Sequence, residues 1–181
     1  MPLSGPHRSE RGPVVQHDQE LHVSSSSDLT TDRLVLRPWT SAEVTAVLSG
    51  DRRPHWADDF PTEGDRVIAG FIAENPSALG AFGQRQIIER STGLVAGAIG
   101  LFWPPGDGRV EFGYGVVESR RGRGYATEAA RAIVAFALTA PGVEAVVATV
   151  ELANPASARV LENAGLRRVE ADAETARYTT V

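Results

Sequence analysis

The chain has 181 residues, a formal net charge of -5 at pH 7 and no Cys. That length suits one domain with a sizeable core, and the missing cysteines exclude disulfides, thiolate catalysis and Cys-ligated metals. The acidic balance argues against a general nucleic-acid surface, no apolar run is long enough to span a bilayer, and the N-terminus lacks the apolar core of a signal peptide; a cytoplasmic protein without membrane or nucleic-acid partners is the expectation. Every basic residue is Arg, so no Lys is available as a Schiff-base nucleophile or a P-loop lysine.

Residues 1–28 carry Pro, Gly, four consecutive Ser, and His7, His17 and His22, with few large apolar side chains. They read as a disordered tail, and solvated tail histidines explain the three His better than a metal site. A single folded domain is expected over 29–181. Thr31–Pro38 alternates, with Leu34 and Leu36 on one face, and predicts a strand. Thr40 or Ser41 can cap a short helix to Leu48, and 51–61 is a loop. A second helix fits Glu63–Glu74, ended by Asn75-Pro76. Three strands follow, over 81–90, 94–103 and 109–117, and the turns Ser91-Thr92-Gly93 and Pro104 to Gly108 make them an antiparallel meander. Then come a helix over 125–139, a β-branched strand over 143–150, and a helix over 154–164 with an Asn cap, Pro at its first position and Gly165 beyond its end. Weaker strands over 166–171 and 176–180 close the chain. The order describes a mixed α/β layer.

The richest local signal is Arg121-Gly122-Arg123-Gly124-Tyr125-Ala126, between a strand and a helix start. The first amides of a helix lack internal partners and its dipole favours an anion. Glycine lets the backbone approach phosphates closely. The missing Gly-Lys-Ser/Thr ending argues against a Walker-type P-loop, and the antiparallel strands before the turn argue against a Rossmann site.

Three motifs in this order resemble the GNAT superfamily of acyl-CoA-dependent N-acyltransferases, within it the Rim-type subgroup that includes ribosomal-protein N-terminal acetyltransferases. They are Thr31-Asp32-Arg33-Leu34-Val35-Leu36-Arg37, Arg121-x-x-Gly124-x-Ala126, and Asn154-Pro155-Ala156-Ser157 with Asn163-Ala164-Gly165-Leu166. The resemblance runs from Leu29 to the C-terminus. It implies a GNAT fold, a mixed, mostly antiparallel sheet of about seven strands flanked by about four helices. It also implies acetyl-CoA as cosubstrate, no metal, and a small-molecule or peptide amine as acceptor. The oligomer is left open between monomer and homodimer.

Site residues follow from motif and chemistry together. Amides from Gly122 through Thr127, with Tyr125 and Ala126 among them, can cradle the pyrophosphate, while Arg121 and Arg123 supply counter-charge. By the resemblance, Val116 and Val117 bond the pantetheine arm through their backbone, exposed by a splay from the next strand, with the Val117 N–H as oxyanion donor. Alternation puts Glu111 on the face of Gly113 and Gly115, where it is the candidate base for an amine that must lose a proton. Asn154 is a helix cap and a contact to the pantetheine arm. Ser157 is the residue the subgroup places near the leaving thiolate, and Leu161 stands where many superfamily members carry Tyr. The loop with His55, Trp56, Asp58, Asp59 and Phe60 is the candidate acceptor site, its acidic groups suiting a cationic amine; an aromatic anchor on the core explains Trp56 and Phe60 equally well. A non-catalytic acyl-CoA sensor or scaffold on the same fold is the alternative to an enzyme.

Overall fold

The computed structural model describes residues 27–181; the rest of the predicted tail, with its three histidines, lies outside them. The elements run β1 (Leu29–Thr30), β2 (Leu34–Pro38), α1 (Ser41–Ser49), α2 (Glu63–Glu74), β3 (Gln84–Glu89), β4 (Val95–Gly106), β5 (Arg109–Val116), α3 (Tyr125–Leu138), β6 (Ala145–Glu151), α4 (Pro155–Asn163), β7 (Arg167–Ala171) and β8 (Thr175–Thr179), with single 3-10 turns at Pro76–Ala78 and Glu118–Arg120. The helix ends follow their caps. Thr40 with Glu43 and Thr62 with Asp65 form reciprocal capping boxes at α1 and α2. Asn154 Oδ1 accepts from the Ser157 N–H to start α4, with Pro155 at its first position.

The strands form one sheet in the order β1-β2-β3-β4-β5-β6-β8-β7. All neighbours are antiparallel except β5 and β6. The strand expected over Thr31–Pro38 begins later, at Leu34, and a separate short strand, Leu29–Thr30, precedes it. The Thr31 N–H donates to the Leu34 carbonyl and its hydroxyl accepts from the Leu34 N–H, so Leu29–Thr30 folds back on Val35–Leu36. This turn supplies the eighth strand, where about seven were expected. The expected strand over 81–90 starts later, at Gln84, after a turn in which the Gly83 N–H bonds the Gly80 carbonyl.

Alternation divides the sheet into two apolar faces. Leu34, Leu36, Ile87, Ile99, Leu101, Val110 and Phe112 pack with Ile133 of α3 and Leu161 of α4. Val95, Ala96 and Ala98 on the other face pack with Trp39, Phe60, Ala69 and Ile72, under α1, α2 and the 51–61 loop. No helix among the described residues is long and apolar enough to cross a membrane.

The parallel pairing is short. It joins Arg109 to Ala145, Val110 to Val146 and Glu111 to Val147, and goes no further along β5. Beyond that point β6 pairs only with β8. A gap therefore opens in the middle of the sheet, along the C-terminal half of β5. On its other side β5 is held tightly to β4: a Cβ added at Gly97 would lie 2.1 Å from the Gly115 carbonyl oxygen. Gly97→Ala must push β4 and β5 apart, and a loss of about 1–3 kcal/mol is expected in chemical denaturation; an unchanged midpoint and slope would show that the two strands tolerate the methyl.

Candidate active site

The gap beside β5 opens into a cleft of about 460 Å³. β5 gives Tyr114, Gly115 and Val116, the following turn gives Arg120, Arg121, Gly122 and Gly124, and α3 begins with Tyr125, Ala126 and Thr127; α4 closes the opposite side with Asn154, Ser157 and Val160. Most of the residues singled out in the sequence for a phosphorylated ligand thus meet in one cavity.

Gly122 and Gly124 have φ of 75° and 80°, the left-handed region that glycine adopts without a Cβ penalty. Gly124 is the N-cap of α3 and provides no side-chain cap. Among the described residues, the amides of Gly122, Arg123, Gly124, Tyr125, Ala126 and Thr127 have no acceptor; the preceding Arg121 N–H bonds the Glu118 carbonyl, and the helical ladder begins with the Glu128 N–H on Gly124. Six successive amides and a helix N-terminus therefore form an anion-binding nest.

The two arginines of the turn part company. Arg121 lines the cleft; its Nε donates to the Val116 carbonyl at 3.0 Å, and its terminal nitrogens make no bond to the described residues. The Arg123 side chain turns away, with Nη1 3.3 Å from Glu89 Oε2 and Nη2 donating to the Ser119 carbonyl. The Arg123 side chain, expected to supply counter-charge to a phosphate, is instead directed at a buried carboxylate on β3 and does not line the cleft, while its backbone amide belongs to the nest. Arg120, not singled out from the sequence, lines the cleft instead.

Glu89 organises the turn from below. Only 2% exposed, it accepts from the Tyr125 hydroxyl at 2.6 Å and from the Thr92 hydroxyl at 2.7 Å, and lies 3.5 Å from Arg120 Nε and 3.3 Å from Arg123 Nη1. Burial pushes its carboxyl up, but those hydrogen bonds and the two guanidinium charges outweigh burial and hold it below its ordinary 4.5. Two further carboxylates hold the turn. Asp59 accepts from the Ser119 N–H and hydroxyl. Glu128, in the first turn of α3, accepts from the Thr31 hydroxyl and from the Arg33 backbone N–H and Nε, while Arg33 Nη1 donates to the Arg123 carbonyl. None of these roles follows from one-dimensional spacing, although Thr31 and Arg33 belong to the opening motif.

On β5 the roles of the two valines separate. The Val117 N–H donates to the Ala96 carbonyl at 2.9 Å, and its own carbonyl accepts from the Arg120 N–H. Val117 is fully buried among the α1–α2 core residues and offers no group to the cleft, which corrects its assignment as a pantetheine contact and oxyanion donor. Backbone groups alternate along an antiparallel strand, so those of Val116 and Tyr114 face the gap. The Val116 carbonyl is shared with Arg121, and no strand pairs with this edge beyond Glu111.

Tyr114 donates its hydroxyl to the Ser157 carbonyl at 3.2 Å across the cleft; burial holds its phenol above the ordinary value, against the opposing effect of that hydrogen bond. Asn154 Oδ1 caps α4, which leaves its NH₂ free to donate into the cleft. Leu161 is fully buried in the α3–α4 core, so the position that carries Tyr in many relatives serves packing here. Glu111 stands on the face of Gly113 and Gly115 as alternation predicts, exposed and opposite Phe102. It lines neither the cleft nor the smaller pocket beyond it.

The 51–61 loop does not reach the cleft with its aromatic residues. Trp56 and Phe60 are 3% and 0% exposed, their rings 5.2 Å apart at a steep angle, and the His55 and Ala57 backbones pair with Val95. Arg52 binds the carbonyls of Ala57, Asp58 and Phe60. The candidate acceptor role of Trp56 and Phe60 is corrected to that of core anchors. His55 lies 3.8 Å from Glu43 in a separate cavity with Arg37 and Gln86, and Asp58 borders another with Arg66. Among the described residues no cluster of three or more His, Asp or Glu is placed to hold a metal ion.

Comparison with known proteins follows this geometry. The family model described as an acetyltransferase (GNAT) domain matches residues 33–167. A search of curated protein sequences finds no match. An acetyltransferase structure from Agrobacterium tumefaciens str. C58 is 24% identical, with 97% of this chain and 98% of that one covered and a TM-score of 0.61. A protein described as a GNAT-family acetyltransferase from Bordetella pertussis is 26% identical, with 85% and 99% covered and a TM-score of 0.61. RimL, a ribosomal L7/L12 alpha-N-protein acetyltransferase in complex with coenzyme A, is 16% identical, with 84% and 96% covered and a TM-score of 0.62.

Glu89→Gln removes the charge that gathers Arg120 and Arg123, and the cost is expected at about 1–3 kcal/mol. Because the native Glu89 carboxyl titrates below 4.5, its contribution is complete above that pH and is lost as pH falls through the lowered native value. Denaturation midpoints measured between about pH 7 and pH 3 should fall for the wild type and fall less for Glu89→Gln; parallel curves would remove Glu89 as the stabilising group.

Proposed function

Because the chain belongs to the GNAT acetyltransferases and is an acetyl-CoA-dependent acyltransferase, we propose that it acetylates a primary amine by direct attack, either a peptide N-terminus, as in the Rim-type subgroup, or a small amine. The observation that carries this reading is the row of six unpartnered amides, Gly122 to Thr127, at the open start of α3. It lies at the end of a strand edge that no other strand occupies.

The chemistry of these groups suits coenzyme A. The amides and the Arg121 guanidinium would hold the pyrophosphate. The Val116 and Tyr114 backbone and the Asn154 amide would hold the pantetheine arm, as a free strand edge holds an extended ligand. When bound, acetyl-CoA supplies the activated acetyl group. The residues of the chain do the rest. Glu111 takes the proton of the ammonium through water, since an amine attacks only when neutral. The backbone N–H of Val116 or Tyr114 faces the charge that develops on the acetyl oxygen, in place of Val117. Ser157, at the start of α4, is the group on hand to donate to the departing sulfur. A thiolate is a good leaving group, so this help matters less than the base.

Calorimetric titration with acetyl-CoA, with a free-thiol assay over a panel of amines, tests the function as a whole. Micromolar binding and amine-dependent thiol release are expected; binding without release on any amine would overturn the acceptor class, and no binding would overturn the nest. Arg121→Ala should weaken acetyl-CoA binding by at least about tenfold. Glu111→Gln should lower kcat by about a hundredfold with the acetyl-CoA dissociation constant unchanged; equal turnover would remove Glu111 as base.

A further inference from the structure

A second, smaller pocket of about 230 Å³ lies on the opposite face of the sheet and shares Tyr114 and Gly115 with the coenzyme A cleft. Its floor is a hollow in the sheet. Gly113 pairs with Gly100 and Gly115 with Ala98, and directly paired residues project to the same side, so four adjacent positions carry at most a methyl group. Gln84 is the next residue in the row, paired with Gly100. Its side chain lies flat over that glycine, where an added Cβ would meet Gln84 Oε1 at 2.2 Å.

Two side chains that line this pocket each carry an oxygen without a donor among the described residues. Gln84 is 2% exposed; its Nε2 donates to the Leu101 carbonyl, and its Oε1 accepts nothing from the described residues. Asp65 is 4% exposed; its Oδ2 accepts from the Thr62 N–H and hydroxyl, and its Oδ1 accepts nothing from the described residues. Ile68, one turn on along α2, gives the pocket an apolar wall. Acceptor-only groups beside an apolar wall are complementary to a cation that carries several N–H donors on an apolar body. The pocket, at about 230 Å³, is smaller than the ~300–1,000 Å³ of sites for drug-sized ligands, which suits a body of a few carbon atoms.

We infer that this pocket seats the acceptor, that Asp65 and Gln84 recognise its ammonium group, and that the hollow over Gly113 and Gly115 restricts it to a primary amine on a small body. The inference rests on the acetyl-transfer reading above and deepens it. The seat adjoins Gly115, at the edge where the cleft and the pocket meet, and Glu111 lies four residues back along the same strand face, about 13 Å from Gly115 and about 6–7 Å from Gly113 at ordinary strand rise. The buried carboxyl of Asp65 is pushed above the ordinary value by burial, against the pull of the Thr62 hydrogen bonds and of Arg66; a bound ammonium would offset that penalty.

The test compares n-butylamine, cationic near neutral pH, with butyric hydrazide, a neutral nucleophile on a similar body, in thiol release from acetyl-CoA. Asp65→Asn keeps an oxygen for the Thr62 N–H and so preserves the helix cap. It should raise the KM for butylamine by about tenfold or more and leave the hydrazide KM and the acetyl-CoA dissociation constant unchanged. Equal effects on amine and hydrazide, or none on either, would overturn the recognition role while leaving acetyl transfer intact; a wild-type protein that binds acetyl-CoA but releases thiol in response to none of the amines would overturn the amine-acceptor reading on which the seat rests. Should Asp65→Asn fail to fold, Gly115→Ala carries the test, because its methyl meets no atom within 4 Å. By crowding the seat it should raise the butylamine KM at least about threefold, and an unchanged value would overturn the seat. Wild-type KM should be far lower for alanine amide than for tryptophan amide, and equal values would overturn the size limit. An Ala-initiated hexapeptide accepted as well as alanine amide would place a peptide's first residue in the seat, and its refusal would assign the seat to free small amines.

Discussion

The arrangement of the molecule depends on where β5 and β6 stop pairing. Three residue pairs join them, after which β6 is held by β8 alone. A continuous parallel ladder would have used up the backbone groups of Tyr114 and Val116 and closed the cleft. The divergence leaves a strand edge inside the fold, where exposed edges are otherwise a liability that proteins cover or charge. Here α4 and the Arg121 turn flank it, and Arg121 already touches the Val116 carbonyl. The edge is accessible to an extended ligand of the right length but shielded from another sheet.

An anion-binding nest is costly to maintain empty, because six amides point outward and the arginines beside them repel one another. Three carboxylates on three different elements offset this. Glu89 on β3 gathers Arg120, Arg123 and Tyr125; Asp59 holds the 3-10 turn through Ser119; Glu128 draws Arg33 onto the Arg123 carbonyl and over the Tyr125 ring. The turn is thus gripped from below, from the side and from its own helix, with Arg121 left unneutralised at the cleft. A preorganised nest of this kind spares the ligand the entropy of ordering the loop.

The order of elements and the place of the nest were legible in the sequence because both rest on local chemistry: capping residues, turn glycines and strand alternation. Glu63–Glu74 has the bounds expected for it, ended by Asn75-Pro76. What was not legible depends on partners far apart in the chain. Which of two neighbouring arginines faces a ligand is decided by Glu89, some thirty positions earlier, and whether a valine offers its N–H to a ligand is decided by the registry of β4 against β5. The aromatic loop at 51–61 shows the same limit. Trp56 and Phe60 have the composition of a binding site, but Val95 and Arg52 tie that backbone to the sheet, and the rings fill the core beneath it.

The two faces of β5 explain why this strand carries so much of the site. Val110, Phe112 and Val116 hold it to the α3 side, while its other face, Glu111, Gly113 and Gly115, is a carboxylate followed by two absent side chains. Glycine weakens a strand interior, and two of them opposite Gly100 and Ala98 would be a poor choice for a strand that only had to be stable. The packing deficit is confined to one face and one end, beside the gap, where filling it would gain stability and remove the hollow. Gln84 points the same way: a buried carboxamide costs desolvation unless satisfied on both ends, and here the nitrogen is satisfied within the sheet while the oxygen is left to the pocket. Stability has been given up at the positions where a small polar occupant next to the strand edge would restore it.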